Sequence, residues 1–393
     1  MGGKNRTWVE IDLDAVGRNV REIKKHIKPD VRLMGVVKAN AYGHGVAEIA
    51  ETVLENGADC LGVALVDEAE ELRKAGLHVP VLLLGNSFEE EIEDIIDLDI
   101  MPAVSDVAFA EKLSAMAVRM VKTVNVHIKI DTGMSRIGFL VDNQDNLENT
   151  CRDIVKISML PGIRIDGIFT HFAAADAEDE EYTLMQYNRF VNCIKRLEEQ
   201  GIELPVKHAC NSAALVKFPY MQLDMVRAGI IIYGMYPSKE FDRQCIRLVP
   251  AMAFKSRISH IKKVDSGTKF SYGGTYTADR SLTVATVPVG YADGYSRNLS
   301  NNTEMLVGRE KVSQIGRICM DQCMIDVTKV NNINVGDEVT LFGGEGDQSV
   351  TVDDIAERLG TINYEITCAV GRRVPRVYIK NGKIVKKVND ICG

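Results

Sequence analysis

The stretch Val36-Val37-Lys38-Ala39-Asn40-Ala41-Tyr42-Gly43-His44-Gly45 holds the most reactive arrangement in the chain. Residues 31–37 are apolar apart from Arg32 and read as a buried strand, so Lys38 falls where that strand ends. Lysine is among the residues least often buried, and a desolvated lysine can condense with an aldehyde to form a Schiff base. Small Ala39, Asn40 and Ala41 leave space beside it, and Gly43 with Gly45 brackets a turn into the next helix. Other chemistry-bearing groups follow: Lys129 and Asp131 with Arg136, then His171, Asn211 with Ser212, and Arg227 with Gly229 and Ile230. Singly, each has a structural explanation as a core histidine, an ion-pair partner or a helix cap. Their meaning depends on whether the fold gathers them.

The elements that would gather them alternate in type. Strand-like runs are predicted at residues 31–38, 60–66, 80–84, 100–105, 123–131, 164–171, 205–211 and 225–233. Helical spacing is predicted at 15–28, 46–56, 68–75, 89–97, 107–120, 147–157 and 180–200, with N-caps at Asp67 and at Ser105 or Asp106. Eight strands of this kind predict a parallel (β/α)8 TIM barrel over residues 12–246, although no eighth helix is evident. Barrel chemistry sits at the C-terminal strand ends, where Lys38, Lys129, Arg136, His171, Ser212 and Arg227 all fall. The loops after strands seven and eight commonly hold phosphate, which places Ser212, Gly229 and Ile230 at such a site. GxxxxGK[ST] and GxGxxG elements are both missing, so a nucleoside triphosphate or dinucleotide is a poor ligand.

Composition narrows the class. A chain of 393 residues exceeds what one core usually organises, so two domains are expected. With 46% hydrophobic and 26% charged residues, no run long enough to span a bilayer and no apolar leader after Met1, it reads as a soluble cytoplasmic protein. Nine cysteines without paired metal-type spacings read as reduced thiols, and no metal is expected. The net charge of −8 and the lack of a basic block argue against nucleic-acid and membrane partners.

From about Val249 the alternation gives way to short β runs, including 281–289, 324–327, 338–342 and 374–379, with a hairpin turn at Asn381-Gly382 and one helix ending near Leu359. This predicts a mostly-β domain over residues 247–393, joined by the opening strand within residues 1–11. Two Gly/Tyr-rich loops stand out, Lys269-Phe270-Ser271-Tyr272-Gly273-Gly274 and Val289-Gly290-Tyr291-Ala292-Asp293-Gly294. Taken alone they read as packing and turn features.

The lysine stretch, His127-Ile128-Lys129-Ile130-Asp131-Thr132-Gly133-Met134-Ser135-Arg136, Asp224-Met225-Val226-Arg227-Ala228-Gly229-Ile230, Gly316-Arg317-Ile318-Cys319-Met320-Asp321 and Thr361-Ile362-Asn363-Tyr364-Glu365 together resemble the alanine racemases, a pyridoxal-phosphate family. The match runs in order from near residue 8 to near residue 378. The resemblance implies that Lys38 holds pyridoxal 5'-phosphate covalently and acts as the base toward D-alanine, while Tyr272 serves L-alanine. It implies that Arg227 faces the pyridine nitrogen with support from His171, and that Tyr42, Ser212, Gly229, Ile230 and Tyr364 bind phosphate. By the same resemblance Arg136 and the Met320 backbone handle the substrate carboxylate, Tyr291 and Tyr364 narrow the entrance, and Lys129 is open to carbamylation. A head-to-tail homodimer with shared active sites is implied, as is D-alanine supply for peptidoglycan. A racemase for serine or for a broader set of amino acids, a non-catalytic carrier of pyridoxal phosphate and a phosphosugar enzyme remain as alternatives at this point.

Overall fold

The computed structural model describes residues 5–344 and 348–389; Met1 to Lys4, part of the stretch read for a leader, lie outside it, as do 345–347 and 390–393. The chain divides into two compact units, Val16–Ala41 with Val46–Val249, and Met1–Ala15 with Tyr42–Gly45 and Pro250–Gly393.

All eight expected strands are present in the first unit: Arg32–Val36, Cys60–Val63, Val81–Leu83, Met101–Val104, Val124–Asp131, Ile163–Phe169, Val206–His208 and Met225–Ala228. They pair in parallel in chain order, and the last pairs with the first, Met225 opposite Arg32. Between the seventh and eighth the ladder is interrupted. Two backbone bonds bridge the gap, Asp224 N to Lys207 O and Arg227 N to Cys210 O, each 3.0 Å. The result is a nearly closed (β/α)8 barrel.

Helices cover the expected segments, among them Val46–Glu55, Val107–Arg119, Gln144–Ser158 and Glu181–Glu199. Asp106 caps its helix by accepting from Phe109 N at 2.8 Å, but the cap expected at Asp67 is absent. That helix starts at Val66, and Glu68 reaches back instead to the amides of Ala64 (2.8 Å) and Leu65 (3.3 Å). The longer Glu side chain spans a distance from its helical position that Asp67 does not. After the eighth strand there is only a 3-10 turn, Ile230–Tyr233. Its neighbour is the helix that precedes the first strand, Leu13–Lys25. Buried Asn19 on that helix donates to Ile232 O (3.0 Å) and Val249 O (2.8 Å) and accepts from Val249 N (2.8 Å). The N-terminal helix thus fills the place where no eighth helix follows. Among the described residues no helix is long and apolar enough to cross a membrane.

The second unit is built on a ten-stranded sheet, with a separate two-stranded hairpin of Lys269–Phe270 and Tyr276–Thr277. The opening strand Thr7–Asp12 lies inside that sheet, antiparallel to Met252–Arg257 and parallel to Arg376–Lys380. Asn381 and Gly382 turn the chain with φ of 53° and 68°, the left-handed pair that an Asn-Gly hairpin requires.

The barrel core holds an unusual polar column. Barrel interiors are normally layered with branched apolar side chains. Here Arg227, His208 and His127 are buried in line: Arg227 Nη1 lies 2.9 Å from His208 Nδ1, and His208 Nε2 lies 2.8 Å from His127 Nδ1. A guanidinium only donates, so His208 Nδ1 must accept, which puts the His208 proton on Nε2. His127 Nδ1 then accepts that proton, and the His127 proton sits on Nε2, 3.8 Å from the Asp166 carboxylate. Both imidazoles are therefore neutral. Burial is the main cause, and for both it holds the pKa below the ordinary histidine value; the charge on Arg227 adds to it. Below about pH 6.5 the unfolded chain takes up protons that the folded one refuses, so this stability is complete above that pH and is lost as pH falls. We expect the urea midpoint to fall between pH 7 and 5.5, at up to about 1.4 kcal/mol per pH unit for each histidine. A His208→Gln variant should flatten the slope, and equal slopes for the variant and the parent would contradict the neutral column.

Candidate active site

At the end of the first strand, Tyr233 Oη donates to Val36 O (2.9 Å) and Val37 N donates to Gly62 O (2.9 Å), fixing the backbone just before half-buried Lys38. The chain then takes a left-handed turn, with φ of 54°, 52°, 52° and 53° at Ala39, Asn40, Ala41 and Tyr42. Each L-residue in that conformation costs roughly 1–2 kcal/mol. Only the tolerant asparagine at 40 eases this cost. Three bonds offset it: Ala39 N to Glu68 Oε1 (2.6 Å), Ala41 N to Val37 O (2.8 Å) and Val46 N to Asn40 Oδ1 (2.8 Å). The last also caps the helix Val46–Glu55.

Arg227 on the eighth strand is buried, and its Nη atoms have abundant partners. Nη1 donates to His208 Nδ1 and His208 O (3.2 Å); Nη2 donates to Thr170 O (2.7 Å) and Ala209 O (2.9 Å), with His171 Nδ1 at 3.4 Å. Its Nε–H makes no bond among the described residues. Burial lowers the pKa to about 10, so the group stays charged at neutral pH. His171 is held well below the usual histidine range, first by burial and then by the cations Arg227, Lys129, Arg136 and Lys38. Lys129 is buried over the Phe169 ring, 4.8 Å from its centroid; burial, Arg227 and Arg136 push its pKa well down. Arg136 itself is exposed, on a loop that begins with Asp131 Oδ1 accepting from Gly133 N (2.9 Å) and Ser135 N (3.0 Å).

Beside Arg227, the Gly229 amide donates to the Ser212 hydroxyl at 2.9 Å, which leaves the hydroxyl proton free to be donated to a ligand. Ser212 opens the helix Ser212–Lys217, capped by Asn211, and Ile230 opens the 3-10 turn. The barrel therefore brings together the strand-end residues Lys38, Lys129, His171, Ser212, Arg227, Gly229 and Ile230 that the sequence pointed to.

The remaining candidates lie in the second unit. The rings of Tyr42 and Tyr364 pack there, centroids 5.9 Å apart. Gly43 has φ of 86°, and a Cβ on it would lie 2.1 Å from Thr367 O, so glycine is required next to Tyr42. Tyr272, Tyr291 and Met320 are exposed on three loops stitched to one another. Ser271 donates to Arg317 O (2.7 Å), Tyr291 N to Cys319 O (3.2 Å) and Ala292 N to Met320 O (3.1 Å). Arg373 locks the last two loops by pairing with Asp293 (2.8 Å) and Asp321 (2.6 Å).

Sequence reading missed Glu68, His127 and His208. His127 could have been found, because it shares strand parity with Lys129 and Asp131 and so points to the same side.

The family model of the alanine racemase N-terminal domain matches residues 11–237, and that of the C-terminal domain matches residues 251–378. The alanine racemase of Desulforamulus reducens is 47% identical over 376 residues, covering 96% of this chain and 100% of that protein. That of Clostridium perfringens is 45% identical, covering 98% of each. Among solved structures, alanine racemase from Clostridium difficile superposes with a TM-score of 0.94 at 42% identity, covering 99% of each chain. The Bacillus anthracis alanine racemase with bound L-Ala-P gives a TM-score of 0.92 at 37% identity, covering 100% of each. Matches of this length and identity establish that the chain belongs to the alanine racemase family.

Proposed function

We propose that the protein interconverts L-alanine and D-alanine by a two-base mechanism on pyridoxal 5'-phosphate, in the cytoplasm, supplying D-alanine for peptidoglycan. The observation that carries the reading is the state of Arg227: four of its five donors are spent on the protein, leaving Nε–H for a ligand. These groups suit the cofactor: Lys38 would attach to it, Arg227 would meet its ring nitrogen, His171 its ring, and Ser212, Gly229 and Ile230 its phosphate, with Tyr42 and Tyr364 as phosphate ligands by the family resemblance. When bound, pyridoxal phosphate supplies the electron sink for the Cα carbanion.

Racemisation removes a proton from one face of Cα and returns one to the other, which two fixed bases do without moving. Lys38 would take the proton of D-alanine and Tyr272 that of L-alanine. Tyr272 reaches the site from the partner subunit of a head-to-tail homodimer. That assignment accords with the exposure of Tyr272, Tyr291 and Met320. Arg136 and the Met320 backbone would hold the substrate carboxylate, with Tyr291 and Tyr364 narrowing the entrance. A small amino-acid ligand agrees with the cycloserine and L-Ala-P complexes of the relatives from Clostridium difficile and Bacillus anthracis.

Arg227 cannot accept a proton and stays charged, so a pyridine nitrogen held by it would remain unprotonated. Arg227 would in this way limit delocalisation into the ring and favour return of the proton to Cα over transamination. Lys129 is a carbamylation site in this reading: its lowered pKa raises the share of neutral amine, which would add to carbon dioxide with release of a proton, and the nearby Arg227 and Arg136 would stabilise the anion formed.

Three measurements test these roles. Tyr272→Phe, assayed in each direction with Cα-deuterated alanine, should lose at least about 100-fold, the usual weight of a general base, with unequal isotope effects; near-parental activity both ways removes Tyr272 from the mechanism. Arg227→Glu should raise transamination relative to racemisation, and an unchanged ratio refutes the ring-nitrogen account. With 13C-bicarbonate, the parent should show a carbamate resonance that Lys129→Arg lacks; its absence from the parent disproves the modification.

A further inference from the structure

The outer helices of a barrel usually turn an apolar stripe inward. Helix Glu181–Glu199 departs from this near its start, where Tyr182, Gln186 and Arg189, at i, i+4 and i+7, share one face. All three side chains end on loops at the barrel mouth. Tyr182 Oη donates to Gly133 O at 2.8 Å, and Arg189 donates from Nη1 to Thr132 O and from Nη2 to Asp142 O, each at 3.0 Å. Gln186 is fully buried between two loops. Its Nε2 donates to Thr132 Oγ1 (3.2 Å) and His171 O (3.1 Å), and its Oε1 accepts from Ala173 N (2.9 Å). The same two loops also touch directly, Thr132 Oγ1 lying 2.8 Å from Thr170 Oγ1.

The targets form two sets. One is the segment after the fifth strand, which runs on to Arg136; the other follows the sixth strand and contains His171. Reversing the Gln186 amide would set oxygen against the His171 carbonyl and NH2 against the Ala173 amide, so only one orientation satisfies all three neighbours. A buried amide used so fully joins its neighbours rather than merely filling space.

We propose that Tyr182, Gln186 and Arg189 form a clamp that fixes the Arg136 loop relative to His171, with Gln186 as a positioning residue for substrate carboxylate binding. The clamp itself stands on the contacts above; its effect on the substrate rests on the role proposed for Arg136.

The experiment uses holoenzyme carrying Gln186→Leu, which keeps bulk and removes the bonds, or Tyr182→Phe, a change at a half-exposed ring that keeps the fold. Amide hydrogen exchange over residues 133–138 should accelerate about tenfold in Gln186→Leu and about threefold in Tyr182→Phe, the scale of one net hydrogen bond or less. KM for both alanine enantiomers should rise about tenfold in Gln186→Leu with kcat within about threefold, since ground-state and transition-state binding weaken together. Unchanged exchange in both variants overturns the clamp, and a fall in kcat with KM unchanged overturns the positioning role of Gln186. If the parent does not racemise alanine, the Arg136 reading fails separately, and the exchange rates alone then decide the clamp.

Discussion

A buried guanidinium sets the terms for the barrel. Leaving one partner of a buried charge unmet costs several kcal/mol, so Arg227 must be surrounded by acceptors. Thr170 O, His208 O and Ala209 O supply them from the ends of strands six and seven, and His208 Nδ1 supplies a fourth. Strands seven and eight are also where the ladder is interrupted. Arg227 serves both needs: its side chain gathers these acceptors, and its backbone amide bonds Cys210 O across the gap. The neutral state of His208 and His127 follows from it, because a protonated imidazole at either position would meet another donor.

The other constraint is the left-handed turn after Lys38. It ends the first strand abruptly, is held by Glu68 and Asn40, and marks the point where the chain passes from the barrel unit to Tyr42–Gly45 of the second unit. Strain of this kind persists only where the surroundings over-determine the backbone. Here the surroundings are the ends of two elements, strand one and the helix Val46–Glu55, which leave the turn little freedom. The lysine is thus carried on a rigid support.

Much of the fold was legible because parallel strands buried on both faces read as continuous apolar runs. All eight runs became strands, and Asn381-Gly382 became the expected turn. The site was legible where unusual residues met strand ends: Lys38, Lys129, His171 and Arg227 interrupt apolar context. Other features left no such trace. Ala39 and Ala41 have no propensity for positive φ, so the turn follows from tertiary contacts. Asp67 is the better cap by type, and only the reach to the Ala64 and Leu65 amides gives the role to Glu68. The helix Asn363–Cys368 is too short to show a period. Gln186 lies in an otherwise ordinary amphipathic helix, where one polar residue on the inner face resembles noise. His208 drew no notice as a site residue, since its partner Arg227 lies 19 residues away.

These features place a rigidly held lysine, a fixed guanidinium and a hydroxyl with a spare proton in one barrel mouth, and three stitched loops carrying Tyr272, Tyr291 and Met320 in the second unit. The central claim is that Lys38 is the cofactor's covalent anchor. Borohydride reduction of the protein reconstituted with pyridoxal 5'-phosphate, followed by peptide mapping, tests it most directly. A single pyridoxyl group on Lys38 is the predicted result, and labelling at Lys129 or at scattered surface lysines would contradict it.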